Sequence, residues 1–191
     1  MIALILGLLI FLGAHSTRIF ADDWRTAQIA RMGEKGWKGL YALASLVGLV
    51  LIVWGFGQAR VDPIVIWNPP AGMRHVTALL VLAAFVLIAA TYVPANHIKA
   101  AVGHPMVLGV KLWAFAHLLS NGRLADVLLF GAFLIWAAAG FAVSRRRDRL
   151  AGTMYPAGTV KGDVIVAVAG VAGWALFALY LHLWLIGVRA V

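Results

Sequence analysis

Cysteine is absent from this chain of 191 residues, and charged side chains make up only 12% of it. Without a thiol the chain can form no disulfide, zinc–thiolate site, thiolate-ligated iron centre or cysteine nucleophile. A soluble domain of this size exposes a large surface, which so few charged residues could not cover. Hydrophobic residues reach 63%, and the mean hydropathy is +0.94. Because lipid can solvate an apolar exterior, we predict one integral membrane domain over residues 1–191.

Acidic residues are the scarcer of the charged types. Asp and Glu number 7 against 16 Lys and Arg, which gives a formal net charge of +9. In a soluble protein this excess would indicate a nucleic-acid partner. Here the basic residues lie between apolar runs, so the positive-inside rule explains them. We therefore expect a lipid bilayer as the partner, and no nucleic acid.

Six apolar segments stand out along the chain. Spanning a bilayer takes about 20 helical residues, and all the segments except the fourth meet or approach this length. The fourth carries Lys111, and we expect it either to begin before Pro105 with a kink or to tilt little. The pattern predicts an all-α fold, a polytopic membrane bundle of about six transmembrane helices. The segments are residues 2–21, 39–59, 76–93, 105–119, 127–143 and 164–188.

The lysines and arginines of the connecting segments are distributed unevenly between the two sides of the predicted membrane. Ten lie on one side and four on the other. Because cytoplasmic loops carry an excess of Lys and Arg, we predict that both termini face away from the cytoplasm. The ten are Arg25, Arg31, Lys35, Lys38, Lys99, Arg145, Arg146, Arg147, Arg149 and Lys161, and the four are Arg60, Arg74, Arg123 and Arg189.

Histidines are the side chains best suited to chemistry in this domain. A polar residue within a membrane span is costly and is by default a functional hypothesis, whereas a histidine near a span end costs little. Of the six histidines, His15, His117 and His182 lie within predicted spans, and His75, His97 and His104 lie near span ends.

Helical spacing places Phe11, His15 and Arg18 on one face of the first segment. Such a face could hold a flat cofactor, with His15 ligating iron and Arg18 pairing with a carboxylate. In the alternative interpretation, Arg18 extends to the lipid headgroups and His15 bonds a neighbouring carbonyl.

Gly109 and Trp113 share a face with His117 on the fourth segment. A glycine and a large ring on the face of a histidine suit a planar macrocycle, and they suit helix packing equally well. His182 shares its face with Ala175 and Ala178, a small-residue face that could also admit a ring but favours helix contact. Since the chain has no thiol, two neutral imidazoles are a good way for it to hold haem iron. Spacing therefore permits a haem without selecting its ligands.

Two blocks of sequence resemble a known family. The first reads His-Ser-Thr-Arg at 15–18, Trp-Arg at 24–25 and Arg-Met-Gly-Glu-Lys-Gly-Trp-Lys-Gly-Leu-Tyr at 31–41. The second reads Asn-His at 96–97, Gly-His-Pro at 103–105 and Ala-His-Leu-Leu-Ser-Asn-Gly at 116–122. With these blocks the chain resembles the NnrU family of bacterial membrane proteins over nearly its whole length. That family is related to the plastid 15-cis-zeta-carotene isomerase, a haem-containing membrane enzyme, and is associated with denitrification and with nitrite or nitric oxide metabolism.

The resemblance implies a bacterial inner-membrane protein with a haem b bound by two histidines, which match His15 and His117. His104 matches a further histidine of the isomerase, as an alternative ligand or a neighbour of one. Arg18 is then the first candidate partner for a haem propionate, and Lys111 the second. Two functions are implied. One is a redox-gated isomerase of a long apolar, carotenoid-like isoprenoid substrate. The other is a non-catalytic haem protein that senses or relays electrons or nitric oxide.

The predicted depths of the histidines in the membrane allow other pairs of haem ligands. At 1.5 Å per helical residue, His15 and His117 differ in depth by about 10 Å. His15 with His104 is comparably acceptable on depth alone, and so is His117 with His182. The preference for His15 with His117 comes from the resemblance.

A second resemblance concerns residues 103–109, Gly-His-Pro-Met-Val-Leu-Gly. They are similar to the Arg-His-Pro-x-x-x-Gly element with which isoprenylcysteine-type membrane methyltransferases bind S-adenosylmethionine. However, Gly103 replaces the arginine, and the expected Glu-Glu pair is missing at residues 144–149, which read Ser-Arg-Arg-Arg-Asp-Arg. We therefore expect no methyltransferase activity.

Overall fold

The computed structural model describes residues 1–190, which form a helical bundle with short connections. Helices are expected here because a backbone within lipid must satisfy its own hydrogen bonds. The elements are α1 (Ile2–Phe20), α2 (Asp22–Ala59), α3 (Met73–Tyr92), α4 (His97–Val102), α5 (Pro105–Ser120), α6 (Leu124–Ala151), α7 (Val160–Leu176), a π-helical turn (Phe177–Leu181) and α8 (His182–Ile186).

The predicted all-α membrane bundle is confirmed. Five helical rods are long and apolar enough to cross a membrane, and the last of them is continuous from Val160 to Ile186. The sixth apolar helix, α5, has 16 residues, a length of about 24 Å at 1.5 Å per residue. The six rods pack in the order α2, α1, α6, α5, α3, α7, so that α6 lies between α1 and α5.

The six rods define two ends of the bundle. The end that holds Met1 and residues 187–190 also holds residues 60–72 and 121–123, and we call it the termini end. There Ile66 and Trp67 donate their backbone N–H groups to the carbonyl of Gly122, at 2.8 and 3.1 Å. The opposite end holds residues 21–38, 93–104 and 144–159, and we call it the basic end.

Glycines allow the first two helices to approach closely. A Cβ on Gly48 of α2 would lie 2.9 Å from Cα of Phe11, and one on Gly7 of α1 would lie 2.6 Å from the backbone N of Ile52. Small residues at helix contacts are the usual means of close packing in membranes. The α1–α2 contact places Phe11 and His15 against the bundle interior.

We expect Gly48→Leu to unfold in detergent at a lower temperature than the wild type. Its side chain would meet the Phe11 backbone, and overpacking of this kind costs roughly 1–3 kcal/mol. The control is Gly39→Leu on the same helix, where the position of a Cβ is open. Equal melting temperatures for the two variants would show that the close approach does not stabilise the fold.

Two basic segments that the sequence pattern places in loops are helical. α2 already begins at Asp22, and residues up to Met32 precede a break at Gly33, whose φ is 76°. Asp22 and Asp23 lie in the first turn, where negative charge is favourable to the helix dipole. Trp24 packs edge-on against Trp37 across the break, with 5.8 Å between ring centroids. Likewise, α6 continues through the arginine cluster to Ala151.

Of the two expectations for the fourth apolar segment, the kink before Pro105 is the one observed, and it is a complete break between two helices. α4 ends at Val102, Gly103 has a φ of +73°, and Pro105 begins α5. Only glycine adopts this backbone readily. A Cβ on Gly103 would also lie 2.8 Å from the ring of Tyr155, so the break brings the 152–159 connection against His104.

Candidate cofactor cavity and the predicted site residues

A cavity of about 640 Å³ lies at the termini end, between the end of α2, the α5–α6 corner and the C-terminal segment. Its walls are largely aromatic and aliphatic, with a few convergent polar groups. Ligand sites of about 300–1,000 Å³ have this composition. The aromatic and charged residues that line it include Phe56, Arg60, Trp67, Trp113, His117, Arg123, Asp126, Phe130, Phe177 and His182.

His117 lies near the end of α5 and lines this cavity. Its Nδ1 is 2.9 Å from the carbonyl oxygen of Trp113. Since a carbonyl can only accept, Nδ1 carries the proton and Nε2 keeps a lone pair. The imidazole is stacked on Phe130 with 4.5 Å between ring centroids and 26° between planes. This hydrogen bond orients the ring, and in the neutral imidazole it leaves Nε2 free to bind a metal.

Cationic and anionic groups meet in the same cavity. The Arg60 guanidinium donates to the carbonyl of Ile186 at 2.7 Å. Asp126 is only 6% exposed, and its carboxylate accepts the backbone N–H of Arg123 at 3.2 Å. Arg60 and Arg123 outnumber this one carboxylate. The cavity therefore favours a ligand that carries negative charge.

His15 does not line this cavity. Its Nδ1 is 2.7 Å from the carbonyl oxygen of Phe11, and its ring is stacked on Phe11 at 4.2 Å. Tyr41 and Trp136 lie beside it, at 5.1 and 6.1 Å between centroids. Within residues 1–190, the Nε1 of Trp136 and the Oγ of Ser45 on α2 are buried without a hydrogen-bond partner. His15 lies in a separate, partly polar cluster between α1, α2 and α6.

Aromatic rings fill the space between His15 and His117. From Phe11, which stacks on His15, the rings continue to Phe133 at 5.8 Å and to Trp113 at a further 5.6 Å, and Trp113 is 5.2 Å from His117. Moreover, α1 and α5 pack on α6, which lies between them. The structure therefore brings His117 together with His182, which lines the same cavity, and does not bring His117 together with His15.

The two candidate propionate partners also lie outside the cavity. Arg18 is exposed, and its carbonyl accepts a hydrogen bond from Arg147 at 2.8 Å. Lys111 is half-buried on α5. Among residues 1–190, neither side chain pairs with a carboxylate.

His104 belongs to a hydrogen-bonded cluster at the basic end. Its Nε2 lies 2.8 Å from Oδ2 of Asp148, and the Tyr155 hydroxyl donates to the same oxygen at 2.8 Å. Burial and the hydrogen bond to Asp148 raise the pKa of Tyr155, so this hydroxyl stays protonated. A parallel pair joins His97 to Asp163 at 2.6 Å. The sequence pattern missed these pairs because their partners are 44 and 66 residues apart.

Tyr155→Phe should lower the free energy of unfolding by about 1 kcal/mol, the usual contribution of one hydrogen bond. The variant keeps the ring over Gly103 and removes the hydroxyl, which donates to Asp148 at 2.8 Å and also lies 3.3 Å from Nε2 of His104. Thermal unfolding in detergent measures the effect. Tyr180→Phe is the matched control, because Tyr180 is 68% exposed and has no hydrogen-bond partner within residues 1–190. A Tyr155→Phe variant as stable as this control would contradict the assignment.

No group of three or more His, Asp or Glu side chains in the described part of the chain could hold a metal ion by itself. The metal-binding side chains of the termini-end cavity are instead two imidazoles, those of His117 and His182. Such a set suits an iron whose other ligands come from a macrocycle.

The fold and the cavity define a polytopic helical membrane protein with a polar, aromatic-lined binding site near one end. Over residues 3–190 the chain matches the family model described as NnrU protein. The chain therefore belongs to the NnrU family, and the resemblance seen in its two sequence blocks is confirmed. No curated protein and no solved structure matches it at a significant level.

Proposed function

We propose that this NnrU protein binds haem b in the inner membrane of a bacterium, with both termini in the periplasm, and acts in denitrification. The haem would occupy the termini-end cavity, where His117 would be one of the residues that bind its iron. One observation carries the proposal: a cavity of about 640 Å³ combines aromatic walls with two imidazoles and two guanidiniums.

The residues present fit a haem. The imidazole of His117 has its Nδ1 engaged and its Nε2 available, which is the usual state of a histidine that ligates a metal. Trp113 and Phe130 supply apolar walls, while Arg60 and Arg123 can pair with two propionates. When bound, haem would supply one-electron redox chemistry and an iron at which nitric oxide can displace a histidine ligand. The chain itself orients the ligand and keeps water away from it.

A non-catalytic role in nitric oxide sensing or electron relay agrees best with this cavity. Arg60, Arg123 and Asp126 line it, and charged walls suit a propionate-bearing cofactor better than a long apolar substrate. A redox-gated isomerase of a carotenoid-like substrate is the second candidate. One observation favours it: an apolar groove of about 330 Å³ between α1 and α6, which Leu12 and Ser16 line.

Absorption spectra of the purified ferrous protein, with and without nitric oxide, distinguish the two functions. We expect a Soret band that shifts when nitric oxide is added, because a haem that senses or relays nitric oxide must bind it. If nitric oxide leaves the band unchanged, and the reduced protein isomerises a supplied poly-cis carotene, the isomerase is the correct function. Apoprotein treated in the same way is the control for both measurements.

A further inference from the structure

The C-terminal segment, residues 177–188, departs from regular helix where it reaches the cavity. The rod that begins at Val160 contains a π-helical turn at Phe177–Leu181, directly before His182. A π-turn inserts an extra residue and is costly, and such turns occur frequently at functional sites. It also rotates every later side chain about the helix axis. The direction in which His182 projects therefore depends on this turn.

This segment closes one side of the cavity. Phe177, His182 and Ile186 line the cavity. The guanidinium of Arg60, at the end of α2, donates to the carbonyl of Ile186 at 2.7 Å, across 126 residues of sequence. A cationic side chain thus ties the C-terminal segment to the first half of the bundle, at the edge of the cavity.

His182 is held in the same way as His117. Its Nδ1 is 2.8 Å from the carbonyl oxygen of Val188, so Nδ1 carries the proton and Nε2 keeps a lone pair. The ring of Phe177 meets the imidazole edge-on, with 5.9 Å between centroids and 83° between planes. Among the described residues, Nε2 of His182 has no hydrogen-bond partner. One cavity therefore holds two imidazoles, each fixed through Nδ1 and each with Nε2 available.

We infer that His182 is the second axial ligand of the haem, so that the ligand pair is His117 with His182. This inference rests on the proposed function. His15, by contrast, is separated from His117 by the rings of Phe11 and Phe133. Arg60 then has two roles, since it fixes the C-terminal segment and pairs with a propionate.

The test compares His182→Ala with His15→Ala in full-length protein purified after haem-sufficient expression. We expect ferric wild-type protein and His15→Ala to be low-spin, because both keep two imidazole ligands. We expect His182→Ala to lose the low-spin signal in optical and electron paramagnetic resonance spectra. Added imidazole should restore that signal, because free imidazole can take the vacated position. His75→Ala is the neutral control, since His75 is exposed at the start of α3.

The opposite pattern, a low-spin His182→Ala with a high-spin His15→Ala, would overturn the inference and leave the proposed function intact. A wild-type protein without any Soret band would instead refute the proposed function. Size-exclusion chromatography identifies a variant that fails to fold. In that case His182→Asn, whose amide keeps a donor near the position of Nδ1 for the Val188 carbonyl, takes its place and must also lose the low-spin signal.

Discussion

His117→Ala should reduce the haem content of the purified protein on the order of tenfold or more, the largest effect expected of any single substitution. Loss of a residue that orients a metal ligand already costs 10–100-fold in many sites, and here the ligand itself is removed. The surrounding Trp113 and Phe130 are apolar, so water replaces the lost bond poorly. Haem content by the pyridine haemochrome assay, relative to total protein, measures this effect.

The matched control is His75→Ala, because His75 also lies towards the termini end but is exposed and outside the cavity. It should retain wild-type haem content. If His117→Ala keeps a full complement of low-spin haem, His117 is not an axial ligand, and the assignment of the termini-end cavity fails with it.

A reporter inserted into the 152–159 connection should show a cytoplasmic location, and a reporter at the C-terminus a periplasmic one. Ten of the sixteen lysines and arginines lie in or within two residues of the segments of the basic end, and four lie in or within two residues of those of the termini end. This asymmetry sets orientation during insertion. Alkaline phosphatase is active only after export, so fusions to it should be inactive in the connection and active at the C-terminus.

Green fluorescent protein fused at the same two positions provides the reciprocal control, since it fluoresces in the cytoplasm and not after export in unfolded form. Phosphatase activity of the fusion in the 152–159 connection would show that the protein has the opposite orientation in the membrane. The helices and the cavity would be unaffected, but the cavity would then face the cytoplasm.

The membrane helices could be predicted from sequence because lipid imposes a simple requirement. A backbone in hydrocarbon must be helical over about 20 residues, and the apolar segments match the helices closely. Pro105 indicated the break that Gly103 completes. The predicted loops were wrong at Asp22–Met32 and beyond Val143, where helices continue. Apolar periodicity detects only the part of a helix that is buried in lipid.

The candidate site could be predicted only in part. His117 stood out because a histidine within a span is costly, and it does line the cavity. Pattern alone favoured helix contact for His182, because sequence periodicity assumes regular α-helix and the π-turn before His182 breaks that period. From the sequence, Arg60 and Arg123 served only to predict the orientation of the protein in the membrane. That both line one cavity could not be predicted, because it depends on contacts between distant segments.

The haem content of the wild-type protein tests the central claim most directly. The protein is expressed in haem-sufficient cells, purified in mild detergent, and assayed for its Soret band and for haem per polypeptide. The account predicts a Soret band and about one haem b per chain, since the termini-end cavity of about 640 Å³ can hold one such cofactor. Protein that is folded by size-exclusion chromatography but shows no Soret band would contradict it.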